Sequence, residues 1–293
     1  MRLRGELVQS FPMARLTSWR VGGPADELFR PADAQDLAVY LKQLMPELPD
    51  PVWVGLGSNL LVRDGGIRGP VICLSRSLQE IRRAAPDRLR VEAGATCARV
   101  ARRALKEGLA GGEFLAGIPG TMGGALAMNA GAFGGETWGL VCAVEVINRR
   151  GEREMRRPEA YRTGYRQVVG PAGEWFIAAE LRFERGEGAA IRQRMRQVLR
   201  KRRHSQPLDQ PSAGSVFRNP PGDFAARLIE QCGLKGQREG GAEVSDRHAN
   251  FIVNRGDASA ADIEMLIETV MRVVRERTGV ALVPEVRIVG VAS

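Results

Sequence analysis

The sequence predicts an α+β fold in more than one domain, and three observations carry that expectation. Helical and strand periodicities both occur, but they mix without the strict alternation of a doubly wound parallel sheet. At 293 residues the chain exceeds what a single hydrophobic core usually organises. A helix-breaking stretch, Gln206-Pro-Leu-Asp-Gln-Pro-Ser-Ala-Gly214, separates the C-terminal third from what precedes it.

The elements follow in order. Asp33, with Asp36 three residues on, caps a helix whose apolar stripe is Leu37, Tyr40, Leu41 and Leu44. Strands are expected at Pro51–Val54, Val71–Leu74 and Arg88–Glu92. Thr96 opens a second helix with Val100, Ala101, Ala104 and Leu105 inward and Gly108 as its stop. Strands at Val141–Asn148 and Trp175–Phe183 follow, with Asn148-Arg-Arg-Gly151 as a hairpin turn. Ile191, Met195, Val198 and Leu199 form another helical stripe. Asp223 begins a helix that ends at Gly233, and Asn250–Asn254 is the next strand. Ser259, with Asp262 three residues later, starts the clearest helix. Its stripe is Ile263, Leu266, Ile267, Val270, Val273 and Val274, and Gly279 closes it. Leu282–Val289 is the last strand expected.

Composition narrows the class. A hydrophobic fraction of 44% and a charged fraction of 26% describe an ordinary soluble protein, and Arg2, Arg4, Glu6 and Arg15 leave no apolar run for a secretion signal. Cys73, Cys97, Cys142 and Cys232 lie far apart without a CxxC pair, which argues against zinc or a disulfide frame and for thiols in a reducing cytoplasm. Two histidines, His204 and His248, make a histidine metal site an unattractive reading, and no metal is expected. The net charge is +9, and only four of the 43 basic residues are lysine. The basic run 192–203 lacks interleaved aromatics and reads as a solvated helix face, so no nucleic-acid partner is expected. An anionic small substrate suits the charge.

One stretch stands apart. From Phe114 to Gly135, 22 residues carry no charge and seven are glycine. Glycine and proline rule out a good membrane-spanning helix. Glycine serves where a Cβ would collide or where φ is positive, so the segment reads as a backbone wall against a large flat ligand, with Asn129 its strongly polar side chain. Earlier, Gly55 and Gly57 begin like a dinucleotide fingerprint, but Leu60 occupies the third glycine position. A Gly-x-Gly-Ser-Asn turn can instead aim N–H groups and a serine hydroxyl at a diphosphate.

The ordered set Val21-Gly-Gly-Pro-Ala25, Gly57-Ser-Asn-Leu-Leu61, Gly117-Ile-Pro-Gly-Thr121 through Asn129-Ala-Gly-Ala132, Tyr161-Arg162, Ala213-Gly-Ser-Val-Phe217, His248-Ala-Asn-Phe-Ile-Val-Asn254 and Pro284-Glu-Val-Arg287 resembles the UDP-N-acetylenolpyruvoylglucosamine reductase (MurB) family. The likeness runs from about Thr17 to Gly290. It implies FAD, held non-covalently in a vanillyl-alcohol-oxidase-type fold. Two flavin subdomains would span 1–77, joined by 280–293, and 78–204, with a substrate-binding domain at 205–279. Gly55, Gly57, Ser58, Asn59 and Leu60 would cradle the pyrophosphate. Gly117, Ile118, Pro119, Gly123, Gly124, Asn129 and Ala130 would lie along the flavin.

The reaction the resemblance implies has two halves. NADPH reduces the flavin, and the flavin then reduces an enolpyruvyl ether on a UDP-sugar, yielding UDP-N-acetylmuramate for the cell wall. Arg162 matches the cation that stabilises the enolate-like species, Ser215 the proton donor and Glu285 a carboxylate near the reacting carbon. Tyr161, Arg218 and Asn219 match substrate contacts. Gly164 stands where the family usually has serine, and Arg166 repeats the Tyr-Arg dipeptide four residues on. The eight residues separating Arg166 from the next strand match a short form without the tyrosine insertion that clamps substrate. A cytoplasmic monomer without membrane or nucleic-acid partners is expected, and His248 is assigned a structural place.

Overall fold

The computed structural model describes residues 2–292. Among the described residues are six α-helices, several of them started by side-chain caps. Helix α1 (Ala34–Gln43) begins at Asp33, whose carboxylate accepts the Asp36 N–H, and α2 (Cys97–Lys106) begins at Thr96, whose hydroxyl accepts from Arg99. Helix α3 (Met122–Ala127) falls inside the glycine-rich stretch, where no helix was expected. Helix α4 (Gly188–Ser205) carries the basic run. It buries Ile191, Met195 and Val198 but leaves Leu199 exposed, so its apolar stripe is narrower than the sequence suggests.

Helix α5 (Ala225–Gln231) starts two residues later than expected. Asp223 binds the Phe224 N–H and Arg227 instead of capping, while Asn219 Oδ1 accepts the Ala225 N–H at 3.1 Å. Helix α6 (Ala260–Thr278) has a full capping box between Ser259 and Asp262 and ends at Gly279 with φ 74°. No helix among the described residues is long and apolar enough to cross a membrane.

A four-stranded sheet has the order Glu6–Pro12, Pro24–Arg30, Ile67–Cys73, Val52–Val54. The chain also groups into two compact units, each drawn from three separate stretches. The first comprises residues 1–8, 27–55 and 69–202. Its antiparallel sheet has the order Arg153–Arg156, Val141–Asn148, Glu174–Arg182, Arg88–Glu92, Ile81–Ala85, and the turn at 148–151 closes the expected hairpin. Leu89, Val91, Val144 and Leu181 of this sheet pack with Val100 and Ala104 of α2, Met122 and Leu126 of α3, and Ile191 of α4.

The second unit comprises residues 9–26, 56–68 and 203–293. A sheet of Arg238–Glu239, Ala242–Val244 and Ile252–Asn254 packs with α5 and α6 around Phe217, Leu228, Leu266 and Val270. Trp19 is fully buried in this core, its indole N–H donating to Ile252 O at 2.7 Å. Leu60–Val62 pairs in parallel with Arg287–Val289. The expected strand from Leu282 to Val289 is therefore realised only at its end. Pro284 has no N–H to offer a ladder, and residues 283–285 turn their hydrogen bonds to 216–218 instead.

One buried carboxylate ties the first unit's sheet together across three strands. Glu145 accepts from Arg90 on one side and from Arg153 Nε, 2.8 Å away, on the other. Burial pushes its pKa up, but the Arg153 and Arg90 guanidinium groups outweigh that effect and hold it below the ordinary carboxylate range. In the unfolded chain a glutamate titrates near about 4.3. The pair's stabilisation is therefore complete above that pH and is lost as pH falls through the lower folded value. Glu145→Gln is expected to flatten the acid limb of the stability curve below about pH 4.3. Urea unfolding over a pH series reads this directly, and an unchanged acid limb contradicts it.

Candidate active site

In the second unit the Gly-Ser-Asn turn meets two of the predicted catalytic segments. Gly57 has φ 61°, and a Cβ there would lie 1.9 Å from Leu16 O, so any side chain would push the turn off its neighbour. Ser58 and Asn59 follow, half-buried, before Leu60 enters its strand. The Asn59 Nδ2 donates to Glu285 O at 3.0 Å, and the Arg287 N–H donates to Asn59 O at 3.1 Å. On the other side the Glu285 N–H donates to Val216 O at 2.7 Å, and the Arg218 N–H to Val283 O at 2.9 Å. Ser215, half-buried, is thus one residue from the strand bond that fixes Glu285. Sequence reading missed a fourth member, Asn250. Its Oδ1 accepts the Phe217 N–H at 2.9 Å, its Nδ2 donates to Phe217 O at 2.8 Å, and its own carbonyl accepts the Val216 N–H. An asparagine at the head of the apolar run Phe251-Ile-Val253 was the available signal.

The predicted substrate contacts divide. Arg218 is half-buried, and its Nε has no hydrogen-bond partner among the described residues, an orphaned donor suited to an anion. Asn219 caps α5 through its Oδ1 as described. His248 stacks edge-on against Phe251 at 4.8 Å, and its Nδ1 accepts the Asn250 N–H at 3.2 Å. Burial lowers its pKa, which favours the neutral ring of a structural histidine.

In the first unit the uncharged stretch is less uniform than a single wall. A Cβ on Gly117 would lie 2.9 Å from both Phe133 and Val198, one on Gly135 would overlap Phe114, and one on Gly123 would sit 3.0 Å from Ala93. Those glycines answer to the protein's own packing. Gly124 is different. It is exposed, and among the described residues only Thr121 Oγ1, at 3.8 Å, comes within 4 Å of its missing Cβ beyond its chain neighbours and its own helix backbone. The same Thr121 Oγ1 lies 2.3 Å from where a Gly55 Cβ would be. Pro119 is exposed and Ile118 half-buried beside it. Asn129 and Ala130, by contrast, are spent inward. The Ala130 carbonyl accepts from Thr137 Oγ1 at 2.6 Å, and the Asn129 amide bonds to Glu136, Gly164 and Trp138.

Arg162 lies exposed on a two-stranded hairpin, Arg162–Gly164 against Gln167–Val169. Tyr161 precedes it with its ring 4.8 Å from Trp138 and 5.6 Å from Phe176. Burial pushes the Tyr161 phenol up to about 12, and its hydroxyl has no partner among the described residues. Arg166 has φ 54° in the hairpin turn, and its Nη2 donates to Gly131 O at 2.8 Å. Of the two arginines, Arg162 is the one presented to solvent.

Comparison with known proteins places this arrangement. The family profile described as "UDP-N-acetylenolpyruvoylglucosamine reductase, C-terminal domain" matches residues 206–289, and the profile "FAD binding domain" matches residues 25–154. The UDP-N-acetylenolpyruvoylglucosamine reductase of Alkalilimnicola ehrlichii is 57% identical over 289 residues, covering 99% of this chain and 96% of that one. The chain belongs to the UDP-N-acetylenolpyruvoylglucosamine reductase family. A second relative of that name, from Methylococcus capsulatus, is 58% identical over 290 residues, 99% of this chain and 95% of its own. The crystal structure of the Thermus caldophilus reductase of this family superposes with a TM-score of 0.83 at 36% identity, covering 98% of this chain and 99% of that one. The expected α+β flavin-binding fold is thus the fold of this reductase family member, with FAD as its cofactor.

The residues present fit a flavin. Glycine inside a helix costs about 0.5–1 kcal/mol relative to alanine. Gly124 bears that cost in α3 although no described residue crowds the space a Cβ would fill. Gly124→Ala is therefore expected to stabilise the flavin-free protein, and Gly124→Leu to abolish flavin retention. Thermal unfolding and flavin absorbance per chain measure the two effects. A fully loaded Gly124→Leu protein contradicts this placement.

Proposed function

We propose that this chain is the NADPH-dependent flavoenzyme that reduces the enolpyruvyl group of UDP-N-acetylglucosamine enolpyruvate to UDP-N-acetylmuramate. In this reading it works as a cytoplasmic monomer in peptidoglycan precursor synthesis, without nucleic-acid or membrane partners. Residues 1–77 with 280–293, then 78–204, form the two flavin subdomains, and 205–279 form the substrate domain. The observation that carries the reading is the backbone ladder joining the Asn59 turn, the Ser215–Arg218 segment and Glu285, in a chain more than half identical to reductases of this name.

Gly55, Gly57 and Ser58 hold the FAD pyrophosphate through backbone N–H groups and the serine hydroxyl, and Leu60 starts the strand that fixes the turn. Ile118, Pro119, Gly123 and Gly124 lie along the ring system. The bound flavin supplies the hydride. The protein then has to stabilise negative charge on the carboxylate side of the former vinyl group and deliver a proton. Arg162 grips the substrate carboxylate with a guanidinium that stays charged throughout. Ser215 Oγ gives its proton to the α-carbon and recovers one from solvent, and Glu285 orients the reacting centre. The orphaned Arg218 Nε takes an anionic part of the UDP-sugar. Gln206 and Arg238 are further candidates for the UDP grip in this short form.

Ser215→Ala is expected to leave flavin reduction by NADPH nearly intact while slowing flavin reoxidation by the enolpyruvyl substrate about a hundredfold or more, the scale of a lost general acid. Anaerobic stopped-flow with authentic substrate separates the two halves. Equal loss in both refutes the proton-donor role.

A further inference from the structure

The Arg162 hairpin is too small to hold itself. Each strand has three residues, and Arg162, Thr163, Gly164 and Tyr165 are all exposed. An isolated two-stranded hairpin is at best marginal in water. Tyr161 anchors its base through the rings of Trp138 and Phe176. Its far end depends on the loop 129–136, to which it is joined by two hydrogen bonds running in opposite directions. Asn129 Nδ2 donates to Gly164 O at 3.1 Å, and Arg166 Nη2 donates to Gly131 O at 2.8 Å.

Asn129 is built for one orientation. It is 2% exposed and has φ 45°, a left-handed conformation that asparagine tolerates better than most residues. Its Oδ1 accepts the Trp138 N–H at 3.1 Å, so the amide cannot flip without losing that bond. Both donors of its Nδ2 then point to acceptors, Glu136 Oε2 at 3.0 Å and Gly164 O. Every polar atom of the side chain is used within the protein, and none remains for a cofactor. Loop 129–136 is itself stiffened by the Ala130–Thr137 bonds.

We infer that Asn129 is a positioning residue for Arg162: by clamping the Gly164 carbonyl it fixes the hairpin that presents the guanidinium to the substrate carboxylate. The inference rests on the reading of Arg162 given under the proposed function. It removes Asn129 from the flavin contacts and gives the buried amide a task in the second half-reaction. It also explains why Gly164 is tolerated where the resemblance expects serine, since the contact made there is through the backbone.

Asn129→Asp is the sharpest test. Aspartate keeps the left-handed backbone and the acceptor for Trp138, but it sets a carboxylate against the Glu136 carboxylate and the Gly164 carbonyl, three acceptors with no donor. The flavin-loaded variant is expected to reoxidise with enolpyruvyl substrate about ten- to a hundredfold more slowly, the scale of an ångström-level misplacement, with reduction by NADPH changed less than about twofold. Hydrogen exchange over 161–170 is expected to quicken while the Val141–Asn148 strand stays protected. Added to Arg162→Ala, the substitution is expected to slow reoxidation no further, because the two act as one unit. Equal slowing in both backgrounds overturns the inference, as does flavin loss with unchanged hairpin exchange. Normal reoxidation in Arg162→Ala alone instead removes the Arg162 reading on which the inference stands. Should Asn129→Asp fail to fold, Arg166→Ala breaks the other bond of the clamp and is expected to quicken hairpin exchange and slow reoxidation in the same pattern. Unchanged exchange in that variant overturns the inference.

Discussion

The main chain of Glu285 is bonded on both sides, its N–H to Val216 and its carbonyl to the Asn59 amide. Three stretches far apart in sequence are thereby locked into one register: the Gly-Ser-Asn turn, the Ser215 segment and the C-terminal strand. Backbone bonds of this kind place a side chain to within a fraction of an ångström without recruiting the side chain itself. Val216, Asn59 and Asn250 hold the Ser215 and Glu285 segments in place through main-chain groups and asparagine amides. The tightness of the Gly57 turn belongs to the same constraint. A Cβ at Gly57 would run into Leu16 O, so the turn that carries Asn59 has room only for glycine there.

The first unit solves a different problem with different means. It presents a long, exposed arginine on a short hairpin and an open glycine on a short helix, neither of which is stable by local propensity. Compensation comes from the sheet beneath. The Glu145 carboxylate joins three of its strands, and the aromatic group of Trp138, Tyr161 and Phe176 packs where the hairpin leaves the core. Marginal local elements on a stiff base are the common arrangement for sites that must admit a large ligand.

Elements announced by chemistry at their ends were legible in the sequence. The Asp33, Thr96 and Ser259 caps lie where the periodicity sets them, and Val141–Asn148 has the bounds its alternation suggests. The failures have physical causes. Helix α3 contains two glycines, so propensity argues against it, and only tertiary packing of Met122 and Leu126 makes it form. Asp223 looks like a cap, but Arg227 and the adjacent Phe224 N–H claim its oxygens, and a side chain six residues before Ala225 takes over. The glycines of 114–135 drew one explanation and needed two. Whether a missing Cβ makes room for Phe114 or for a ligand depends on what stands opposite in space, and periodicity does not carry that information. Asn129 shows the same limit from the other side, since a polar residue in an apolar segment can face inward as readily as outward.

Trp19 bears on how such a chain is made. The carbonyl that receives its indole N–H is 233 positions downstream, and every stretch of the second unit before residue 203 lacks most of its core until the last third has been translated. Synthesis therefore proceeds with residues 9–26 and 56–68 waiting in an unfinished state while the sheet of the first unit, nearly contiguous from residue 69 to 202, can close early. Contacts of such long range slow folding and leave apolar surface uncovered for as long as translation lasts. A chain cut short before Ile252 would then lose far more than a strand, because it would leave the tryptophan near its start without the carbonyl and the core that receive it.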